Sequence, residues 1–238
     1  MVDFAKAIKK PFTNWKAFII GVLLSLIPIV KWFTKGYILE SSGVGKVKAS
    51  AKLQEWENWG EMFVKGLAST VITVIYMLPA LIIAMIGSAT FLVSLFRTYV
   101  GTIVPIDMVK EFAAGGGDAA ALEAILRQNW YQAVPAVMAF APILLLAFLF
   151  ALLAWYMLPM AVLNYVATNK FGSAFQFRKV LGMAFSGDYF LTWIIVLICS
   201  AIIAALLNLV LFIGLAVMFF VVGVFSYSLY GDVYRKLA

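Results

Sequence analysis

The charged residues are spaced so that four apolar runs stand between them. Fourteen residues separate Lys16 from Lys31, 31 separate Lys65 from Arg97, 42 separate Arg127 from Lys170, and 43 separate Asp188 from Asp232. A helix needs about 20 residues to cross a hydrocarbon core of about 30 Å. The second run therefore predicts one long span, and the third an overlong or broken one. The fourth predicts two spans joined by a turn between Leu207 and Gly214, where Asn208 and Gly214 interrupt the apolar pattern. The first run is too short for a crossing. It carries Gly21, Ser25 and Pro28 and is closed by Lys31 and Lys35, the pattern of a re-entrant or interfacial segment over 17–34.

Three stretches between the runs have one apolar face. In Met1 to Lys10, Phe4 and Ile8 stand four apart among Lys6, Lys9 and Lys10. In Leu53 to Phe63, Leu53, Trp56, Gly60 and Phe63 share a helical face, with Glu55, Glu57 and Glu61 pointing away. In 173–186, Phe177, Val180, Leu181 and Ala184 follow helical spacing, with Gln176, Arg178 and Lys179 outside it. Each reads as a surface helix bracing the span beside it. The loop 98–129 is the one long polar stretch on the other side, and Asp118 is placed to cap a short helix running to Arg127. The glycines 115–117 before it have no preceding strand and no following Gly-Lys-Ser/Thr, so they read as a hinge rather than a phosphate loop.

Composition turns this pattern into a class. Of 238 residues, 65% are apolar or aromatic and 12% are charged, and the mean hydropathy is +1.02. Such a chain has too little polar surface to cover a soluble globule. The expectation is an all-α integral membrane protein forming one transmembrane domain over 1–238, with an N-terminal surface and re-entrant region over 1–65. The net charge of +7 fits basic residues lying against anionic headgroups, and nucleic acid is not an expected partner. With four full spans at about 66–96, 133–167, 189–207 and 211–231, 15 of the 18 basic residues fall on one side. Only Arg97, Lys110 and Arg127 fall opposite. A six-span alternative, in which 17–34 crosses and 66–108 folds back at Gly87-Ser88, divides them nine against nine. The positive-inside rule favours four spans plus the re-entrant segment, with both termini cytoplasmic in the cell membrane.

The inventory removes several chemistries. There is no histidine, and Cys199 is the only cysteine, so zinc, copper, haem and iron–sulfur sites and a Ser-His-Asp triad are not expected. No metal and no cofactor is expected. The polar positions inside the four spans are Thr73, Tyr76, Asn164, Tyr165 and Asn208, none of them charged. Tyr76-Met77-Leu78-Pro79 recurs as Tyr156-Met157-Leu158-Pro159, with Pro79 and Pro159 each placed to kink its helix by freeing the carbonyls of Ile75 and Trp155.

Several of these residues occur together in a known arrangement: Gly36-Tyr37 after the first apolar run, the stretch Glu55-Trp56-Glu57-Asn58-Trp59-Gly60-Glu61 continuing to Leu67, Tyr76 with Pro79, Tyr156 with Pro159, Phe171 to Phe177, and Asp188-Tyr189. The chain resembles an uncharacterised family of archaeal and bacterial multi-pass membrane proteins, a domain of unknown function. It departs from that family at Gln54, where a proline is common, and at Ile38-Leu39-Glu40, where basic residues usually follow Gly-Tyr. The resemblance implies the fold and no activity.

Three functions are therefore weighed. The first is a non-catalytic scaffold or accessory subunit partnered by lipids and by other membrane subunits or itself, with small residues such as Gly66, Ser69 and Gly87 allowing close helix approach. The alternative is a transporter or channel for a small or lipid-like substrate, not proton-coupled because no span holds an exchangeable charge. The third is a lipid-active enzyme using Glu55, Glu57 and Glu61, of which Glu57 and Glu61 would share a helix face.

Overall fold

A computed structural model describes residues 4–46, 48–100, 103–207 and 213–238. Ten α-helices cover them: α1 Phe4–Lys9, α2 Trp15–Ser25, α3 Lys31–Ser41, α4 Trp59–Tyr99, α5 Ile106–Ala113, α6 Ala119–Asn129, α7 Val134–Thr168, α8 Phe177–Ala184, α9 Gly187–Leu207 and α10 Ile213–Leu237. Short 3-10 turns link some of them, and no β-strand occurs among the described residues. Four helical runs are long and apolar enough to cross a membrane: α4, Ala119–Thr168 containing α7, α9 and α10. The chain is an all-α integral membrane protein. The turn expected between Leu207 and Gly214 falls on 208–212, outside the described residues, as does Asn208 itself.

The helices group into two compact units. One comprises 1–76 with 155–238, and the other 77–154. The division falls inside the first Tyr-Met-Leu-Pro motif and beside the second.

In the first unit α2 and α3 form an antiparallel hairpin. Asn14 caps α2 by accepting from Ala17 N at 3.1 Å, and Pro28 sits in the turn after Ser25. Eleven residues per arm reach only about 16 Å at 1.5 Å per residue. Each arm is therefore about half the length of a crossing. At its base Lys10 donates to Ser41 O, and near its tip Thr34 Oγ1 donates to Gly21 O at 3.3 Å. The apolar core of the unit gathers around this hairpin: Ala17, Val22, Tyr37, Ile38, Met62, Phe220 and Val224 are buried together. Backbones meet where α3 crosses α4. A Cβ on Gly36 would fall 1.8 Å from Met62 O, and one on Gly66 1.9 Å from Trp32 O, so only glycine fits at both positions.

α4 is one helix from Trp59 to Tyr99 and passes Gly87 and Ser88 without a break. The six-span alternative, which needs a turn there, is not the fold. Gly87 instead lies against Phe140 and Ile143 of α7, within the second unit, where Phe91 and Phe140 also stack at 4.9 Å. In the same unit Asp118 caps α6 as expected, accepting from Ala120 N and Ala121 N. The loop 98–129 contains a helix that was not expected, α5, closed by Gly115 at φ +81°.

Two surface helices need correction. The expected helix over Leu53–Phe63 does not begin until Trp59. Leu53–Asn58 is non-helical, and Asn58 adopts φ 54°, a conformation Asn tolerates better than most residues. The Trp56 ring stacks on Tyr37 at 4.2 Å, and its indole N–H donates to Ala17 O at 3.0 Å. Those contacts with the hairpin outweigh helical periodicity. On α8 the buried stripe is Val180, Met183 and Ala184, while Phe177 is exposed. The preceding 171–175 is a 3-10 turn rather than part of that helix.

Candidate functional site

Two of the five intramembrane polar candidates, Asn164 and Tyr76, bond the same short segment, 173–174, in the first unit. Asn164, wholly buried on α7, uses its amide in both directions. Its Nδ2 donates to Ser173 O at 2.7 Å and to Gln176 Oε1 at 3.2 Å, and its Oδ1 accepts from Tyr234 OH at 2.8 Å. Ser173 Oγ returns a bond to Asn164 O at 3.0 Å, and Thr168 Oγ1 donates to Ser173 Oγ at 2.7 Å. Tyr76 OH donates to Ala174 O at 2.6 Å. Tyr165 is also buried, its ring edge-on to Phe171 at 6.5 Å. Thr73 is separate: its Oγ1 donates to Ser69 O at 2.8 Å.

The repeated tetrapeptide acquires a physical meaning here. Tyr76 and Tyr156 each donate 2.6 Å hydrogen bonds to backbone carbonyls, those of Ala174 and Ala184. Ala174 precedes α8 and Ala184 ends it, so the two tyrosines fasten the helix at both ends. Tyr189 OH in turn donates to Tyr156 O at 2.5 Å. Pro79 and Pro159 lie inside continuous helices, α4 and α7. Sequence spacing marks the tyrosines but not their acceptors, because backbone carbonyls 98 and 28 residues away carry no side-chain signature.

A second polar cluster was not anticipated. Lys65, 2% exposed, lies 3.1 Å from Glu40 Oε1 and 3.0 Å from Glu61 Oε1. Lys46 lies 3.0 Å from Glu61, and Gln54 Nε2 donates to Glu40 Oε2 at 3.3 Å. The ammonium is thus bracketed by two carboxylates, as a buried charge requires. The grouping of Glu55, Glu57 and Glu61 dissolves. Glu55 and Glu57 are exposed on non-helical backbone, so Glu57 and Glu61 share no helix face. Among the described residues no three His, Cys, Asp or Glu side chains gather in a way that could hold a metal.

Two lysines stand apart from any such bracket. Lys10, 5% exposed, donates to Ser41 O beside a cavity of about 310 Å³ that Lys6, Ser42, Asp232 and Arg235 also line. Burial lowers its pKa to about 8, an effect that Asp232 opposes in part. Lys35 on the hairpin donates to Thr70 Oγ1 at 3.1 Å. Burial, then repulsion from Lys31, lowers it to about 8. Thr70 lies five residues, about 7 Å, along α4 from Lys65 at 1.5 Å per residue. The hairpin therefore carries a positive charge against α4 just past the start of its charge-free run, a position the runs of the spans do not reveal. The signal was present in Lys31 and Lys35 closing the first run; the hairpin turns that apparent boundary back against α4.

Two cavities adjoin this region. One, of about 370 Å³, is lined by Thr73, Trp155, Pro159, Trp193 and Tyr230 among others. The other, of about 500 Å³, includes Lys35, Ala204, Met218 and Phe219. Both share Ser200, Val222, Ser226 and Tyr227.

A family model described as a protein of unknown function, DUF4013, matches residues 19–213. The chain belongs to the DUF4013 family. No curated protein and no solved structure matches it. The match begins within α2 and ends at the first residue of α10, and so includes Lys35, both Tyr-Met-Leu-Pro copies and Asn164.

Proposed function

We propose that this DUF4013 protein is a non-catalytic accessory or structural subunit of a membrane assembly, with both termini on the cytoplasmic side of the cell membrane. The observation that carries the reading is that the polar side chains at the centre of the fold are closed on internal partners. Asn164, Tyr76, Tyr156 and Lys65 are each committed to internal partners. A catalytic or ion-coupling group needs a valence left open to substrate. These side chains instead fasten α8 and the hairpin to the spans, which is the work of a rigid docking body. The test is purification of the full chain from its native membrane in a mild detergent, followed by native mass spectrometry. A second polypeptide at fixed ratio, or a defined homo-oligomer, is expected. A monomer with no companion overturns the proposal.

A carrier for a lipid-like substrate is the second reading, favoured by the adjoining 370 and 500 Å³ cavities. Liposomes holding the purified chain, with a proton or sodium gradient imposed, distinguish the two. Gradient-driven uptake supports the carrier, and its absence beside a fixed-ratio partner supports the subunit.

A further inference from the structure

The cavity between α3, α9 and α10 holds about 500 Å³, within the range of about 300–1,000 Å³ typical of ligand sites. Most of its wall is apolar, supplied by Ile38, Ala204, Met218, Phe219 and Val222. Its one charged lining group is Lys35. Among the described residues no carboxylate lies within 4 Å of that ammonium. Its hydrogen bond goes to the neutral Thr70 Oγ1, and the neighbouring charge that acts on it, Lys31, has the same sign. Lys65, on the next helix, shows how this protein treats a lysine it intends to neutralise itself, with two carboxylates at 3.0–3.1 Å. Lys35 has been given none, and an ammonium removed from water without a counter-ion is costly.

A second observation points into the same space. Ser200 Oγ is buried and has no hydrogen-bond partner among the described residues. It lines this cavity together with Ser226, itself 7% exposed, and with Tyr227. Buried hydroxyls are normally paired, so the unpaired Ser200 Oγ is a polar atom left open on the wall of this cavity.

We propose that this cavity binds a single-chain amphiphile with an acidic headgroup, the anion on Lys35 and the chain along Ala204, Met218 and Phe219. The wall is almost wholly apolar, which suits the chain, and Lys35 is the one charge on it that suits the headgroup. A fully polar anion leaves the apolar wall empty, and a neutral lipid leaves the charge unpaired. The site is independent of the subunit reading, since a docking body and a carrier would both accommodate a bound lipid.

The test uses the full chain in nanodiscs of phosphatidylcholine and tritiated palmitate as probe, with hexadecanol and inorganic phosphate as competitors. Saturable palmitate binding is expected, displaced at least tenfold less effectively by either competitor. Lys35→Met should weaken it at least tenfold, and Lys35→Arg should restore most of it. Ala204→Trp, which fills the chain end while leaving the charge in place, should also weaken it at least tenfold and covers the case in which Lys35→Met fails to fold. Lys16→Met, at an exposed position, should change nothing. Absence of saturable binding, equal displacement by hexadecanol or phosphate, or unchanged affinity in both Lys35→Met and Ala204→Trp overturns the proposal.

Discussion

The two units of this chain are both rich in apolar residues and differently built. In the first, α10 has 61% of its apolar stretch buried inside the protein. In that unit α3 and α4 meet through glycines at backbone distance and one bracketed lysine, and tyrosine hydroxyls of α4 and α7 bond backbone carbonyls beside α8. In the second unit Met138, Leu145 and Phe148 present more than half their surface outward, and the pairing of α4 with α7 rests on Gly87 and the Phe91–Phe140 stack. Within lipid, apolar side chains gain little by preferring one another over acyl chains. What fixes a core there is close backbone approach and satisfied polar groups, and the first unit has both.

The largest effect expected from that difference is at Gly66. A side chain there meets the Trp32 carbonyl at 1.9 Å. Gly66→Leu should therefore cost more than about 3 kcal/mol, beyond ordinary overpacking, and remove the monodisperse peak in fluorescence-detected size exclusion. Gly60→Leu, one and a half turns earlier and facing open space, should leave the peak intact. Equal tolerance of both would contradict the backbone-contact account.

Next comes the bracketed lysine. Lys65→Met leaves Glu40, 5% exposed, without its cation, a defect worth about 3–5 kcal/mol. The double variant Lys65→Met with Glu40→Leu removes the orphaned charge and should recover most of the loss in thermal midpoint. Failure to recover would mean that the pair does more than neutralise itself.

A smaller effect follows from Lys10 and Lys35. Both are lowered to about 8 from the ordinary lysine value of 10.5. Below pH 8 both are protonated in the folded and unfolded chain. Between pH 8 and 10.5 the unfolded chain binds more protons, so stability rises with pH across that window. The thermal midpoint should climb by a few degrees from pH 8 to pH 10, and Lys35→Met should remove part of the climb. A midpoint that falls over this range would show that neither lysine is desolvated.

The smallest effect belongs to the second unit. Met138 is 69% exposed, and Met138→Ala should change stability by less than about 0.5 kcal/mol. A larger loss in the native membrane that disappears in detergent would show that a protein partner covers this face.

These contrasts also mark what could be read from the chain alone. Lengths of charge-free runs found α4, α7, α9 and α10, and the shortness of the first run found the hairpin, because both follow from local hydropathy. Asp118 announced the start of α6 for the same local reason. The helix over Leu53–Phe63 failed because its periodicity competes with Trp56 stacking on Tyr37, a contact between residues 19 apart. Asn164 and Tyr76 were singled out as polar groups in apolar surroundings, yet their roles depended on carbonyls that every residue possesses. The contact of Lys35 with Thr70 escaped because it joins residues 35 apart, which hydropathy along the chain does not register.

The hairpin is the element on which the rest turns: it brings Lys35 beside Thr70 and supplies the core around Tyr37, and its arms are too short to cross. Side-selective cysteine labelling in intact membranes tests it most directly. With Cys199 replaced by alanine, single cysteines at Lys48, Lys179 and Gly116 should divide two against one. Lys48→Cys and Lys179→Cys should react with a membrane-impermeant maleimide from the cytoplasmic side and Gly116→Cys from the opposite side. Labelling of Lys48→Cys together with Gly116→Cys would mean that residues 17–34 cross the membrane and would contradict the re-entrant fold.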